Sequence, residues 1–399
     1  MGVVTGTGSD TRNPIARLWG NKKARSVIVQ IVTMAVLFGV LALLYRNVVV
    51  NLAAIGKEFS FDFLNAPSAY DITFSPFIEY NSRSTHLRAA AVGILNTLLV
   101  ASCGIVLATV MGFIMGVLRL SRNWLVNRTV YCFLEFTRNV PVLLHILFIH
   151  GLVVTQLPVP KQAMNFADSF FLTNRGFFFP APVPQAGFWI VATVFAISVV
   201  FVIAFRRWAK KVQDETGRTY PVFWISTGAI VAATAIAFLA AGMPLSWEAP
   251  ALKGFNFKGG VAIKPEFIAL WLALSYYTSC FIAEIVRAGI LAVSYGQTEA
   301  AYAVGLRPNR TLQLIIIPQA LRVIVPPLAS QYLNLTKNSS LAIAIGYMDV
   351  VATIGGISLM QTGKEMETMM IVMLTYLVFS LIIAGFMNWY NKKMALVER

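Results

Sequence analysis

At 399 residues, 57% of them hydrophobic and only 12% charged, the chain has more apolar surface than a water-soluble globular fold can hide. There is room for several membrane-crossing runs of about 20 apolar residues each. The formal net charge of +15 lies between apolar runs, which reads as membrane orientation and not as a nucleic-acid footprint. The three cysteines, Cys103, Cys132 and Cys280, all fall inside apolar runs and have no metal-site spacing to a histidine. They read as packing residues, so no disulfide framework, metal or cofactor is expected.

Eight apolar runs succeed one another, at 27–44, 89–118, 130–154, 187–205, 222–241, 267–293, 321–345 and 369–386. The fold class expected is therefore all-α, a polytopic helical membrane protein of about eight transmembrane helices. The first run follows the basic residues Arg17, Lys22, Lys23 and Arg25. Its length, with Arg46 and Asn51 where a cleavage site would need small residues, predicts an uncleaved signal anchor. Residues 46–88 mix Phe59, Phe61 and Phe63 with Asp62, Pro67 and Pro76 and read as an external loop.

The second run has small residues at near four-residue spacing: Gly93, Thr97 and Ala101, then Gly104, Ala108, Gly112 and Gly116. This stripe predicts close approach by another helix. Residues 157–186, with Phe177, Phe178 and Phe179, read like 46–88 as an interfacial or a folded external loop, and the favoured expectation is a loop resting on the bilayer surface with its aromatics at headgroup level. The seventh run is interrupted by Pro326, Pro327, Asn334, Lys337 and Asn338.

Basic residues between runs set the orientation. With the N-terminus inside, nineteen fall on the cytoplasmic side, from Arg12 and Arg17 to Lys392, Lys393 and Arg399. Ten fall outside, among them Lys57, Lys161, Arg175 and Lys364. The asymmetry places both termini in the cytoplasm of a multi-pass protein.

A charge at the centre of a membrane helix costs about 2.5–3.5 kcal/mol on insertion scales, so each one calls for a reason. Glu135 and Arg138, and again Glu284 and Arg287, are three apart and share a helix face. The second pair reads as structural. Arg138 reads as a substrate contact, because Asn139 and Pro141 loosen the helix beside it, and Glu135 is the nearby acceptor. Lys337, Asn338, Ser339 and Ser340 form the densest polar cluster in any run. Lys337, Ser339 and Ser340 would supply the cation and hydroxyls that a carboxylate needs, and snorkelling of Lys337 is the alternative. His145 and His150 read as packed or pore-side residues, with a proton relay as the other possibility.

The segment SYGQTEAAYAVGLRPNRTLQLIIIPQALR, residues 294–322, reads as two short helices around a turn. Ser294 and Gln297 have capping-box spacing, Glu299 favours the first turn, and Gly305 is placed to end the helix in the left-handed conformation. Asn309 would cap the second helix, and Pro318 would bend the chain back to the membrane.

GQTEAAYAVG followed by IIPQA resembles the EAA loop of ABC importer permeases, in the polar amino acid (HisQM-like) variety. GILNTLLVA, EFTRNVPVLLHILF, SYYTSCFIAEIVRAGI and LTKNSSLAIAIG resemble further segments of that family. The resemblance implies a type I ABC importer permease core. Its coupling element would use Gly296, Glu299, Ala300, Ala301, Gly305 and Pro318. It also implies cytoplasmic ATPase subunits, a second and non-identical permease subunit, a periplasmic amino-acid-binding protein, an amino acid substrate, and residence among the lipids of a bacterial inner membrane.

The extra hairpin formed by runs four and five resembles the larger permeases of general L-amino acid transport systems. The chain then divides into 1–88 (tail, first helix, external loop), 89–156 (first part of the core), 157–266 (external loops and inserted hairpin) and 267–399 (second part of the core, with the coupling loop 294–320). No GxxxxGK(S/T) phosphate loop occurs, so ATP binding belongs to another chain and no enzymatic activity is expected here. A secondary transporter driven by an ion gradient, with Glu135, Glu284 or the histidines as proton carriers, would explain the buried charges but not the EAA-type loop. A membrane scaffold would explain neither.

Overall fold

The computed structural model describes residues 22–394 apart from Ile55 and Lys57. The basic residues Arg12, Arg17, Lys57 and Arg399 used for orientation lie outside the described residues.

The first run becomes α1 (Lys22–Ala54), a helix of 33 residues, so residues 46–54 are helical and not loop. Its apolar stretch is exposed on every side. Asp62–Asn65 forms a single 3-10 turn. Thr85 then caps α2 (His86–Leu118), its hydroxyl oxygen accepting from the Arg88 N–H at 3.3 Å.

The third run is not one straight span. It breaks into α3 (Trp124–Asn139) and α4 (Val142–Gln156), which are bent 105° to each other. The cause is local. Pro141 has no N–H to give and pushes the residue before it out of the helical region, and Val140 accordingly sits at φ −102°, ψ 132°. Seven helices among the described residues are long and apolar enough to cross a membrane, and counting the bent pair as a span makes eight.

Between α4 and α7 the chain is nested. Residues 157–186 do not lie as an irregular loop; they pair with residues 245–263. The strands β1 (Met164–Phe166), β2 (Phe170–Thr173), β3 (Gly176–Phe179) and β4 (Ala181–Pro184) precede the hairpin α5 (Phe188–Thr216) and α6 (Val222–Ala240). β5 (Leu245–Glu248), β6 (Ala251–Lys253), β7 (Asn256–Lys258) and β8 (Val261–Ile263) follow it. β4 pairs with β5 at the foot of the hairpin, and β3 pairs with β8 just before α7 (Pro265–Leu291). The aromatics explain the pairing. Phe171 and Phe178 point to one side and close on Phe257, with ring centroids 4.5 and 5.1 Å apart, a small core that a loop on the bilayer would not make.

After α7 come α8 (Tyr295–Ala303), α9 (Pro308–Thr311), a π-helical stretch Leu312–Ile316 and α10 (Ile317–Asn338). Pro326 and Pro327 are accommodated inside α10. The α-helix gives way only later, to the 3-10 stretch Ser339–Ile345. A second π-helical stretch, Val351–Ser358, leads through α11 (Leu359–Thr362) to α12 (Glu365–Met394).

The core is the seam between α2 and α7. Every member of the small-residue stripe from Gly93 to Gly116 is buried. A Cβ on Gly112 would sit 2.5 Å from Ile282 Cγ2, and one on Gly104 would sit 3.1 Å from Leu335. Removing side-chain bulk from one face of α2 is thus what lets α7, and above it α10, come to backbone range. The α5–α6 hairpin stands outside this core and packs chiefly on itself.

Candidate functional site

The helix α8, which follows the end of α7, is exposed along most of its length. Glu299 and Ala300 face solvent and Ala301 is buried beneath them. Its end forms as the sequence predicts: Gly305 has φ +79°, with the Gly305 N–H donating to Tyr302 O at 2.9 Å and the Leu306 N–H donating to Ala301 O at 3.0 Å.

Two local expectations fail. No capping box forms, because the Gln297 N–H donates to the Ser294 carbonyl at 3.0 Å and not to its hydroxyl. Asn309 does not cap α9, because Pro308, suited by its fixed φ to the first helical position, moves the cap to Arg307. Pro318 stands in the first turn of α10, directly after the π-helical stretch. Gln319 donates through Nε2 to Gln297 Oε1 at 3.1 Å and ties α8 back to α10. What remains open is a rigid face carrying Gly296 and Glu299 with the exposed side chains of Tyr295, Tyr302 and Val304, the latter 77% exposed. That combination suits docking into a groove of another protein.

The charges on α3 and α7 pair as their spacing suggests. Arg138 donates to Glu135 along α3. Arg287 donates to Glu284 through Nε at 2.9 Å and Nη2 at 2.6 Å. Arg119 and Arg138 both lie within electrostatic range of Glu284, so α2, α3 and α7 share one charged group. At the α3–α4 elbow a hollow of about 640 Å³ is walled by Phe133, Phe136, Val140, Leu144, Phe148 and Tyr276, with Thr137 and His145 its polar members. By helical spacing Glu135 and Arg138 are on the other side of α3 from Phe133, Phe136 and Val140. His145 is buried, with Nε2 3.1 Å from the Thr137 carbonyl and its ring against Tyr276 and Tyr277, which is the packed role.

Lys337 is exposed and pairs with no carboxylate among the described residues. Ser339 is fully buried and donates to Thr336 O at 2.7 Å, and Ser340 donates to Lys337 O at 2.7 Å. The two hydroxyls are thus turned to their own helix. The chain does not bring Lys337 and Arg138 together. Leu335 packs at the level of Gly104 and Ser275, whereas Arg138 lies near Cys280 and Glu284, on the order of 10 Å further along α7.

A further buried polar group gathers around Asn96, Thr97, Tyr347 and Asp349, none of which sequence patterning singles out as a site. Asn96 donates from Nδ2 to Phe74 O at 2.8 Å and Met348 O at 2.9 Å. The Val350 N–H donates to Thr97 Oγ1 at 3.1 Å, and the Tyr347 hydroxyl donates to Asn96 O at 3.0 Å. Asp349, fully buried between the last two spans, accepts from the Ala352 N–H at 2.8 Å and from the Tyr376 hydroxyl at 3.3 Å. Burial pushes its carboxyl up to about 7, against the lowering effect of those two donors. A signal for it was present: Asp349 is the lone acidic residue between Glu299 and Glu365.

The described helices thus form a set of membrane-crossing spans with a broken third span and an exposed, ordered helix at α8. Residues 215–396 match the family of binding-protein-dependent transport system inner membrane components. Among similar proteins are the general L-amino acid transport system permease protein AapQ of Rhizobium johnstonii, 46% identical over 94% of each chain, and the putative amino-acid ABC transporter permease protein YhdX of Escherichia coli, 44% identical over 97% of this chain and 96% of the relative. A third is the glutamate/glutamine/aspartate/asparagine transport system permease protein BztB of Rhodobacter capsulatus, 45% identical over 94% of this chain and 95% of the relative. The chain belongs to this family of ABC importer permeases. It is a multi-span transport subunit and not an enzyme, and its family works with an ATPase and a binding protein.

Proposed function

We propose that the chain carries L-amino acids across the bacterial inner membrane, as one of two non-identical permease subunits around a shared path. The observation that carries the coupling part of this reading is α8, an ordered helix ended by Gly305 and presenting Glu299 on an open face. A cytoplasmic ATPase would dock there, a periplasmic amino-acid-binding protein would deliver substrate on the opposite face, and both termini would be cytoplasmic, as the nineteen-to-ten basic asymmetry favours. The amino acid class is supported by what AapQ, YhdX and BztB are named for.

For the substrate we propose two polar stations in this chain and not one site. The first is the Glu135–Arg138 pair, able to exchange its internal bond for the ammonium and carboxylate of an amino acid. The second is the exposed Lys337, with Ser339 and Ser340 shaping the turn beneath it. The test is concentration-dependent uptake of L-amino acids by the complex in reconstituted vesicles. Lys337→Met should raise the half-saturating concentration about ten- to a hundredfold, the worth of one charge-assisted hydrogen bond. Gly305→Val, strained at positive φ, should abolish uptake and ATPase stimulation with the chain still inserted. Wild-type affinity in the first variant removes Lys337 from the path, and wild-type coupling in the second removes α8 from the docking role.

A further inference from the structure

The α5–α6 hairpin has a feature that transport leaves unexplained. The apolar part of α5, from Phe188 to Phe205, is about 27 Å long and α6 about 29 Å, each close to the hydrocarbon thickness. α5 does not stop there; it continues as helix to Thr216, some 16 Å further. The chain then returns along the outside of this stub, because the Tyr220 ring lies 5.4 Å from Trp208. The start of α6 is therefore level with the first turn beyond Phe205, the depth at which a bilayer has its headgroups.

Arg206, Arg207, Lys210 and Lys211 occupy that turn and the next, all exposed. At 100° per residue they fill an arc of about 140° and rise over about 7.5 Å, so four cations share one face. The opposite face is apolar, with Ala209 only 3% exposed. The acids of the stub, Asp214 and Glu215, stand a turn further from the membrane, where Glu215 takes Lys211 at 3.7 Å. Arg206, Arg207 and Lys210 have no carboxylate partner among the described residues. Trp224, 74% exposed at the start of α6, adds an aromatic at the same level.

We propose that this basic face is a binding surface for anionic phospholipid headgroups, and that such lipids hold the inserted hairpin at the periphery of the core. Three cations without a carboxylate partner at headgroup depth, with Lys211 beside them reaching Glu215 at the far end, match a phosphate layer. The lipid-facing sides of α5 and α6 leave room for the acyl chains below. Guanidinium groups would take phosphate oxygens two at a time, and the lysines would act as point charges.

The test uses the assembled complex extracted from vesicles of equal phosphatidylglycerol and phosphatidylcholine, with retained lipid counted by native mass spectrometry. Wild type should keep phosphatidylglycerol in preference, and R206Q/R207Q/K210Q/K211Q should keep at least about tenfold less of it. The charge-keeping swap R206K/R207K/K210R/K211R should retain it, which separates lost charge from damaged folding. Lys253→Gln with Lys258→Gln, on β6 and β7, should leave retention unchanged. Equal retention of both lipids by wild type overturns the proposal, as does undiminished phosphatidylglycerol in the glutamine variant. Loss of a protein subunit from that variant with phosphatidylglycerol unchanged also overturns it, and assigns the face to an acidic protein instead.

Discussion

Gly116→Ala probes the α2–α7 seam at a point where nothing soft can yield. The added Cβ would lie 2.7 Å from the Ala283 carbonyl oxygen and 2.7 Å from Val286 Cβ, against 3.4 Å for the onset of ordinary contact. Neither neighbour is the free end of a flexible side chain, so the helices themselves must part by several tenths of an ångström along a packed seam. Overpacking of this kind costs about 1–3 kcal/mol. Alanine returns up to about 1 kcal/mol through its helix propensity, which leaves a net loss of up to about 2 kcal/mol. Gly228→Ala on α6 is the matched control, because a Cβ there meets nothing within 4 Å. It should gain up to about 1 kcal/mol by the same propensity argument. Denaturant titration of the detergent-solubilised chain, followed by far-ultraviolet circular dichroism, reads both. Opposite signs are expected; equal stabilisation by the two alanines would mean the seam is looser than its glycines indicate.

Two further outcomes follow from the polar groups and the strands. Asp349 has its folded carboxyl raised from 3.8 to about 7, so its stabilising protonated form is full below the unfolded value and is lost as pH rises toward 7. The unfolding midpoint of wild type should therefore fall across that window, and Asp349→Asn should remove the slope, each unit of offset being worth about 1.4 kcal/mol. Gly176→Ala combines a φ of +126° with a Cβ placed 2.2 Å from the Ile263 carbonyl oxygen. It should unlatch β3 from β8, seen as faster proteolysis within residues 157–186 while the membrane helices stay intact.

Legibility tracked the range over which each signal acts. Helical spans, the small-residue stripe and the left-handed end at Gly305 are dictated by neighbours three or four residues away, and the sequence displays them. The break at Val140 was half visible: Pro141 marked a loosened helix, but a loosened helix does not by itself announce a bend of 105°. The strands escaped because Phe171 and Phe178 have their partner at Phe257, beyond a whole inserted hairpin. Asp349 escaped because one acid in an apolar stretch gives no pattern; its meaning arises only when Asn96, Thr97 and Tyr376 surround it from two other helices. Lys337 and Arg138 looked like one site in a linear reading. Depth along α7, which the chain alone does not display, separates them.

Under the proposed coupling role, the glycine at 289 matters as much as the docking helix itself. A Cβ there would lie 2.3 Å from Ile324 Cγ1 and 3.3 Å from the Ala320 carbonyl oxygen, so α7 and α10 touch almost backbone to backbone just above α8. The loop between them is also closed by the Gln319–Gln297 bond. A push on α8 therefore has little slack to take up between its two flanking helices, and it must move them together. Between α8 and α10 the helix widens into the π-helical stretch Leu312–Ile316, an irregularity of the kind often found at functional sites. Because α2 is locked to α7 through Gly112 and Gly116, the same movement would be handed on to the helix that bears Asn96 and Thr97, and through them to the buried turn at Asp349. The proposed docking surface at α8 and the polar knot at Asp349 would in this way be joined through the packed seams of α2, α7 and α10.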